Sequence, residues 1–273
     1  MEKQFTAPIA QGRTAEIFSW DNKHVLKLYF DWCPSNWVEY ESRIAHAVHD
    51  AGIPTPAAGE IVEINGRRGL IYERVEGISM LQALNSCPWT LVKHARSLAE
   101  LQIKIHRQSI TGLPSYKEQL QHAIGRTPHL SDTLREKYLR QLKFLSDADT
   151  LCHGDYHPGN IILTRNGPVV IDWMTACSGC RWADVARTSL LLTIGPKGAA
   201  NLVSPLLLFA IRFFHRMYLN RYLESVPDEG KELTRWAPVI SAARLNEDIA
   251  PEREALLELL QKGSWDESFQ RRN

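Results

Sequence analysis

Two aspartates and an asparagine, spaced across one short stretch of chain, could hold a divalent metal beside a hydroxyl group. The stretch opens with His153-Gly154-Asp155 and reaches Asn160 five residues later. Two β-prone runs follow, Ile161-Ile162-Leu163 and Val169-Val170-Ile171, and the second ends at Asp172-Trp173. Asn166-Gly167 is expected to turn one run back onto the other. Asn160 and Asp172 lie six residues either side of residue 166, so in an antiparallel hairpin they face each other at its open end. One amide oxygen and one carboxylate held there make a hard oxygen site suited to Mg²⁺. Asp155, on the loop entering the hairpin, can point into the same space. Taken singly, these residues have plainer uses, as a strand end, a turn cap and a loop residue. The three together select the metal site.

The elements around this segment divide the chain. Ala15 to Trp20 alternates apolar and polar side chains, Asp21-Asn22-Lys23 is turn chemistry, and His24 to Phe30 is β-prone, which predicts a hairpin. Trp37, Ile44 and Val48 recur at helical spacing, and that helix ends near Gly52, before Pro54 and Pro56. Glu60 to Ile64 and Arg68 to Glu73 flank Asn65-Gly66, a second hairpin. After Gly77 the pattern turns helical. Leu91 to Gln108 and Ser131 to Ser146 read as helices, as does Trp182 to Leu260, with breaks at Gly195-Pro196, Pro227 to Gly230 and Pro251. The expected fold is α+β, a small antiparallel sheet with one helix over residues 1–75 and a larger, mainly helical part over 76–273.

His-Gly-Asp-x-x-x-x-Asn, a hairpin and Ile171-Asp172-Trp173 together resemble the aminoglycoside phosphotransferase and choline kinase superfamily. The resemblance runs from the N-terminus to about residue 190. It implies a bilobal, protein-kinase-like fold and a small-molecule kinase using ATP or GTP with Mg²⁺. It further implies that Asp155 orients or deprotonates the acceptor hydroxyl and that Asn160 and Asp172 bind the metal. Trp173 and Met174 stand where protein kinases carry Phe-Gly. His153 looks like the family's packing histidine, and Asp184 resembles the aspartate that braces the catalytic loop. Gln11-Gly12-Arg13-Thr14 resembles the phosphate-covering loop, whose amides approach phosphate oxygens. Glu73 and Val75 fall where the interlobe hinge would meet the nucleobase, with Tyr72 as the bulky residue behind it.

A kinase also needs a strand lysine on the phosphates and a helix glutamate to hold it. Lys27 lies inside the apolar run Val25-Leu26-Lys27-Leu28-Tyr29. Glu39 shares a helix face with Arg43, His46 and Asp50, a solvent pattern, whereas Glu41 falls with Trp37, Ile44 and Val48. Glu41 is therefore the expected partner.

Bulk properties bound the rest. The 273 residues carry a formal net charge of +1, so no global field favours nucleic acid or an acidic membrane. The greasiest stretch, Pro205 to Phe214, is too short for a bilayer and is interrupted by Arg212. Met1 to Thr6 offers no signal-like apolar run, and five scattered cysteines fit a reducing cytoplasm better than a disulfide framework. Cys177-Ser178-Gly179-Cys180 has no second ligand pair for zinc. Tyr218, Tyr222 and Trp236 read as core before acceptor pocket. Two rival functions are a protein Ser/Thr kinase and a non-catalytic nucleotide-binding regulator. Gly154-Asp155 in place of an Arg-Asp pair, with no Ala-Pro-Glu-like activation segment closely following Asp172, opposes the first, and the full residue set opposes the second. The resemblance implies that the acceptor is a small-molecule hydroxyl compound of aminoglycoside, choline or sugar type. Carboxylates for a polycation exist at Glu224, Asp228, Glu229, Glu232, Glu247 and Asp248, but Val185 to Leu223 holds only basic charges, including Arg187 and Lys197.

Overall fold

Strand alternation builds the first sheet. The structure is a computed structural model and describes residues 7–195, 204–226 and 230–262. Pro196, Lys197, Pro227, Asp228 and Glu229 lie outside the described residues. β1 (Ala10–Gln11), β2 (Ala15–Ser19), β3 (His24–Tyr29), β4 (Ala58–Ile64) and β5 (Arg67–Glu73) form an antiparallel sheet in the order β1-β2-β3-β5-β4. Leu26 and Leu28 of β3 face one way and pack with Phe18 and Ile71. Tyr29 faces the other way and packs with Ala15, Leu70 and Val38. Val38 belongs to α1 (Asn36–Asp50), which buries Val38, Glu41, Ile44, Ala45 and Val48 at three- and four-residue spacing. The β4–β5 turn has positive φ at both Asn65 (52°) and Gly66 (80°), as a two-residue hairpin loop requires.

By its internal contacts the chain divides into two compact units, residues 1–82 with 159–174, and residues 83–158 with 175–273. The first unit also holds a three-stranded sheet of β6 (Ile78–Ser79), β8 (Ile161–Thr164) and β9 (Gly167–Val170), in the order β6-β8-β9. α2 (Met80–Ser86) carries the chain from the first unit into the second.

The second unit is helical. Its elements are α3 (Leu91–Ile105), α4 (Tyr116–Arg126), α5 (Asp132–Phe144), α6 (Arg181–Thr193), α7 (Pro205–Leu223), α8 (Gly230–Arg244) and α9 (Ala250–Lys262). The strand pair β7 (Thr150–Cys152) and β10 (Cys177–Gly179) lies among them. α3 packs along α7, and α8 packs against α4, α5 and α6. Ser115, Ser131 and Ser204 cap α4, α5 and α7, each accepting from the amide three residues on. Tyr218, Tyr222 and Trp236 are buried in this core.

Two expectations are corrected. The β8–β9 loop is Arg165-Asn166, because Thr164 pairs with Gly167. Thr164 Oγ1 accepts from Asn166 N (3.1 Å) and donates to Gly167 O (2.8 Å), closing the turn one residue early. Asn160 therefore pairs with Ile171, whose amide donates to Asn160 O at 3.0 Å, and Asp172 lies one residue beyond the pairing. Pro251 breaks no helix. It occupies the first turn of α9, where its missing N–H has no intrahelical partner to lose, and the break falls at the 3₁₀ turn Leu245–Glu247 and the left-handed Asp248 (φ 51°).

Candidate active site

Lys27 shares the α1 face of β3 with Tyr29, since alternate residues of a strand point the same way. Its Nζ donates to Glu41 Oε1 at 2.8 Å and to Asp172 Oδ1 at 2.9 Å. Glu41 is 1% exposed and also accepts from the Tyr72 hydroxyl at 2.8 Å. Burial works against the Lys27 ammonium, but the charges of Glu41 and then Asp172 overcome it, so its pKa is raised and the cation is retained. Glu39 instead meets Arg68 at the half-exposed edge.

Asp172 reaches Lys27 through its backbone. The residue is left-handed, with φ 65°, a conformation that Asp tolerates better than most side chains. The chain leaves β9, reverses at Asp172 and drops Trp173 into the core, where the indole Nε1 donates to Thr55 Oγ1 at 3.0 Å. Asn160, at the end of the 3₁₀ turn Pro158–Asn160, and Asp172 thus both stand at the open end of the β8–β9 hairpin. Their side-chain oxygens are the donor type that Mg²⁺ takes, so the residues present fit that ion.

Glu73 and Val75 line a cavity of about 770 Å³ with Thr55, Pro56, Gly77 and Val169. Tyr72 is absent from that lining. Its hydroxyl donates to Glu41 Oε1 at 2.8 Å. In the exposed Gly12-Arg13-Thr14 loop, the Gly12 N–H turns onto Ala15 O at 2.9 Å, so this amide is spent on the β1–β2 turn.

The second unit holds the His153-Gly154-Asp155 loop. Asp184 is fully buried in the first turn of α6 and accepts from Gly154 N (2.8 Å), His153 N (3.3 Å), Gln102 Nε2 (3.0 Å) and His106 Nε2 (3.0 Å). Burial alone would raise its pKa. The His106 hydrogen bond and the other donors outweigh burial and lower it, so Asp184 is an ionised brace for the loop. Tyr222 lies 2.6 Å from His106 Nδ1, which sets the imidazole to donate from Nε2 to Asp184. Gly154 has φ +78°, and a Cβ there would meet Thr175 O at 2.5 Å, so the tight turn admits glycine alone.

Asp155 follows, 3.5 Å from Arg187 Nη2 and 3.7 Å from His157 Nε2. Burial pushes its pKa up, but the neighbouring His157 imidazole and the Arg187 charge prevail and hold the carboxyl below the ordinary range. Sequence patterns gave no role to Arg187, His157, Gln102 or His106. The i, i+3 spacing of Asp184 and Arg187 was the one available signal, since it puts both on neighbouring turns of α6. Cys177 and Cys180 are buried free thiols, and Cys177 sits opposite Cys152 across the β7–β10 pair. No described helix is long and apolar enough to cross a membrane.

An antiparallel sheet whose strand lysine is held by a helix glutamate, together with a helical unit whose buried aspartate braces a His-Gly-Asp loop, defines a protein of kinase-like fold. The chain belongs to the Phosphotransferase enzyme family (APH), which it matches over residues 21–207, and it is a phosphotransferase with an alcohol group as acceptor.

Solved structures share the fold. A thermostable mutant of aminoglycoside phosphotransferase APH(4)-Ia, in ternary complex with AMP-PNP and hygromycin B, is similar over 95% of this chain and 94% of its own, with TM-score 0.66 and 16% identity. Aminoglycoside-3'-phosphotransferase of type VIII is similar over 88% and 93%, with TM-score 0.62 and 16% identity. Amicoumacin kinase hAmiN, in complex with AMP-PNP, Ca²⁺ and Ami, is similar over 96% and 88%, with TM-score 0.61 and 12% identity. No curated protein matches the chain.

Proposed function

We propose that the protein transfers the γ-phosphoryl group of ATP to a hydroxyl of a small molecule, with Asp155 addressing that hydroxyl. The observation that carries this is Lys27 clamped between Glu41 and Asp172 in a chain of phosphotransferase family. A lysine fixed at both sides is pre-set to meet phosphate oxygens without reorganising. AMP-PNP in two of the similar structures supports ATP.

Asn160 and Asp172 would hold Mg²⁺, which when bound neutralises charge on the triphosphate. The amides of Arg13 and Thr14, with Gly12 setting the turn, would cover the phosphates, and the main chain at Glu73 and Val75 would meet the base. Asp155, kept ionised by its neighbours, accepts a hydrogen bond from the acceptor hydroxyl and aims its oxygen for in-line attack.

The acceptor is a small molecule, neither nucleic acid nor membrane, and it is not confined to polycations. Among the described residues of the second unit, the four candidate carboxylates for a polycation are engaged. Glu224 meets Arg221, Glu232 meets Arg235, Glu247 meets Arg187 and Arg244, and Asp248 meets His129 and Arg253. Five free cysteines and the use of ATP support a cytoplasmic site of action. A nucleotide-consumption screen of the purified protein with Mg²⁺ against aminoglycoside, macrolide, choline-like, sugar and amino-alcohol acceptors tests the proposal. Acceptor-dependent ADP release is the expected result, and consumption that no acceptor stimulates would oppose it.

A further inference from the structure

A chain of alternating charges in the second unit ties the Asp155 loop to the C-terminal helices. Arg187 Nη2 lies 3.5 Å from Asp155 Oδ1 and 2.5 Å from Glu247 Oε1. Glu247, in the 3₁₀ turn after α8, gives its second oxygen to Arg244 Nη1. Arg244 in turn grips Glu252 of α9 with Nε and Nη2, at 2.8 and 2.9 Å. Arg187, Arg244 and Glu252 are all more than nine-tenths buried.

Buried ion chains are costly to desolvate, and apolar residues of similar volume often serve stability as well or better. The pairing at Arg187 is also incomplete for a structural group, since its buried Nε has no hydrogen-bond partner. The guanidinium is aimed at two carboxylates at the expense of its own saturation. Of the two, Glu247 is much the nearer. An arginine held so firmly on one side can orient the carboxylate on its other side without collapsing onto it.

We infer that Arg187, anchored by Glu247, is a positioning residue that fixes the Asp155 carboxylate for the acceptor hydroxyl, so that the turn after α8 belongs to the catalytic apparatus. This rests on the role proposed for Asp155. Among the described residues, the charged and titratable groups facing Asp155 include His157, His153 and Arg187, with Glu247 behind the guanidinium. With Arg187 gone, burial gains weight against the carboxylate and its titration moves to higher pH.

The test joins two measurements on the full chain. The first follows the Asp155 side-chain carboxyl by ¹³C NMR across pH in wild type, Arg187→Gln and Glu247→Gln. The second measures kcat and KM for nucleotide with an acceptor found in the screen. Arg187→Gln is expected to shift the Asp155 titration upward and to lower kcat roughly 10²-fold, the scale of a small misplacement, with nucleotide KM unchanged. Arg187→Lys should restore much of the titration but little of the kcat, because an ammonium lacks the planar fork that spans two carboxylates. An Asp155 titration that does not move, or a kcat that survives Arg187→Gln, would overturn the inference. If Arg187→Gln does not fold, Arg187→Lys and Glu247→Gln decide it by the same two readouts. If wild type phosphorylates no acceptor, the proposed function falls, and the NMR titration then judges the Arg187–Asp155 link alone.

Discussion

The Lys27 ammonium lies 2.9 Å from Asp172 Oδ1, although 145 residues separate the two in the chain. One residue comes from the middle of a strand and the other from a left-handed turn at the end of a hairpin. Their meeting makes a single cationic point bounded by two carboxylates, with Glu41 buried on the far side.

Removing one partner of that cluster strands a charge. Glu41→Ala is expected to destabilise the protein by about 3–5 kcal/mol, the cost of breaking a buried pair, and to raise the KM for nucleotide. Thermal melts and nucleotide titrations check both effects. A variant as stable as wild type would show that Lys27 finds equal company in Asp172 alone.

Gly154→Ala forces a side chain into a left-handed turn 2.5 Å from Thr175 O. Strain of roughly 1–3 kcal/mol is expected, along with a displaced Asp155 and a fall in kcat larger than the fall in stability would explain. Comparing kcat at temperatures well below the melting point of each protein separates the two effects.

Much of this was legible in the sequence, for identifiable reasons. Leu26 and Leu28 alternate with Lys27 and Tyr29, so the face that carries the lysine follows from period two. The α1 burial pattern selects Glu41 over Glu39 by period 3.6. The hairpin loop was misplaced by one residue because the dipeptide Asn166-Gly167 is a strong turn former. The actual turn depends on the Thr164 hydroxyl bridging the loop, a contact that no propensity reports. α4 was missed although Ser115-x-x-Glu118 is a readable capping signal. The Asp155–Arg187–Glu247 chain joins residues far apart in the sequence through α6 and the turn after α8. Only the tertiary packing of the second unit brings them into contact.

Asp184 should make the catalytic loop sensitive to acid. Its folded-state pKa is lowered from the ordinary value. The stability it contributes is present above the unfolded carboxylate pKa, near ~3.9, and is lost as pH falls through the folded value. Asp184→Asn is expected to be less stable than wild type at neutral pH, with the difference shrinking towards pH 3. A constant difference across that window would deny the ionised brace.

His215 acts in a milder window. Burial holds its pKa down to about 4, against ~6.5 unfolded. Between those values the unfolded chain binds more protons than the folded one, so stability falls as pH drops from 6.5 to 4, by up to roughly 3 kcal/mol at the lower end. His215→Phe should flatten that part of the stability curve, as urea melts at several pH values would show.

The most direct measurement is ³¹P NMR of a reaction containing ATP, Mg²⁺ and an acceptor from the screen, run with wild type and with Asp155→Asn. Wild type should yield ADP and a phosphate-ester resonance on the acceptor. The variant should bind nucleotide as well but form the ester about 10²–10⁴-fold more slowly. Ester formation at the wild-type rate by Asp155→Asn would contradict the role given to Asp155 and the mechanism built on it.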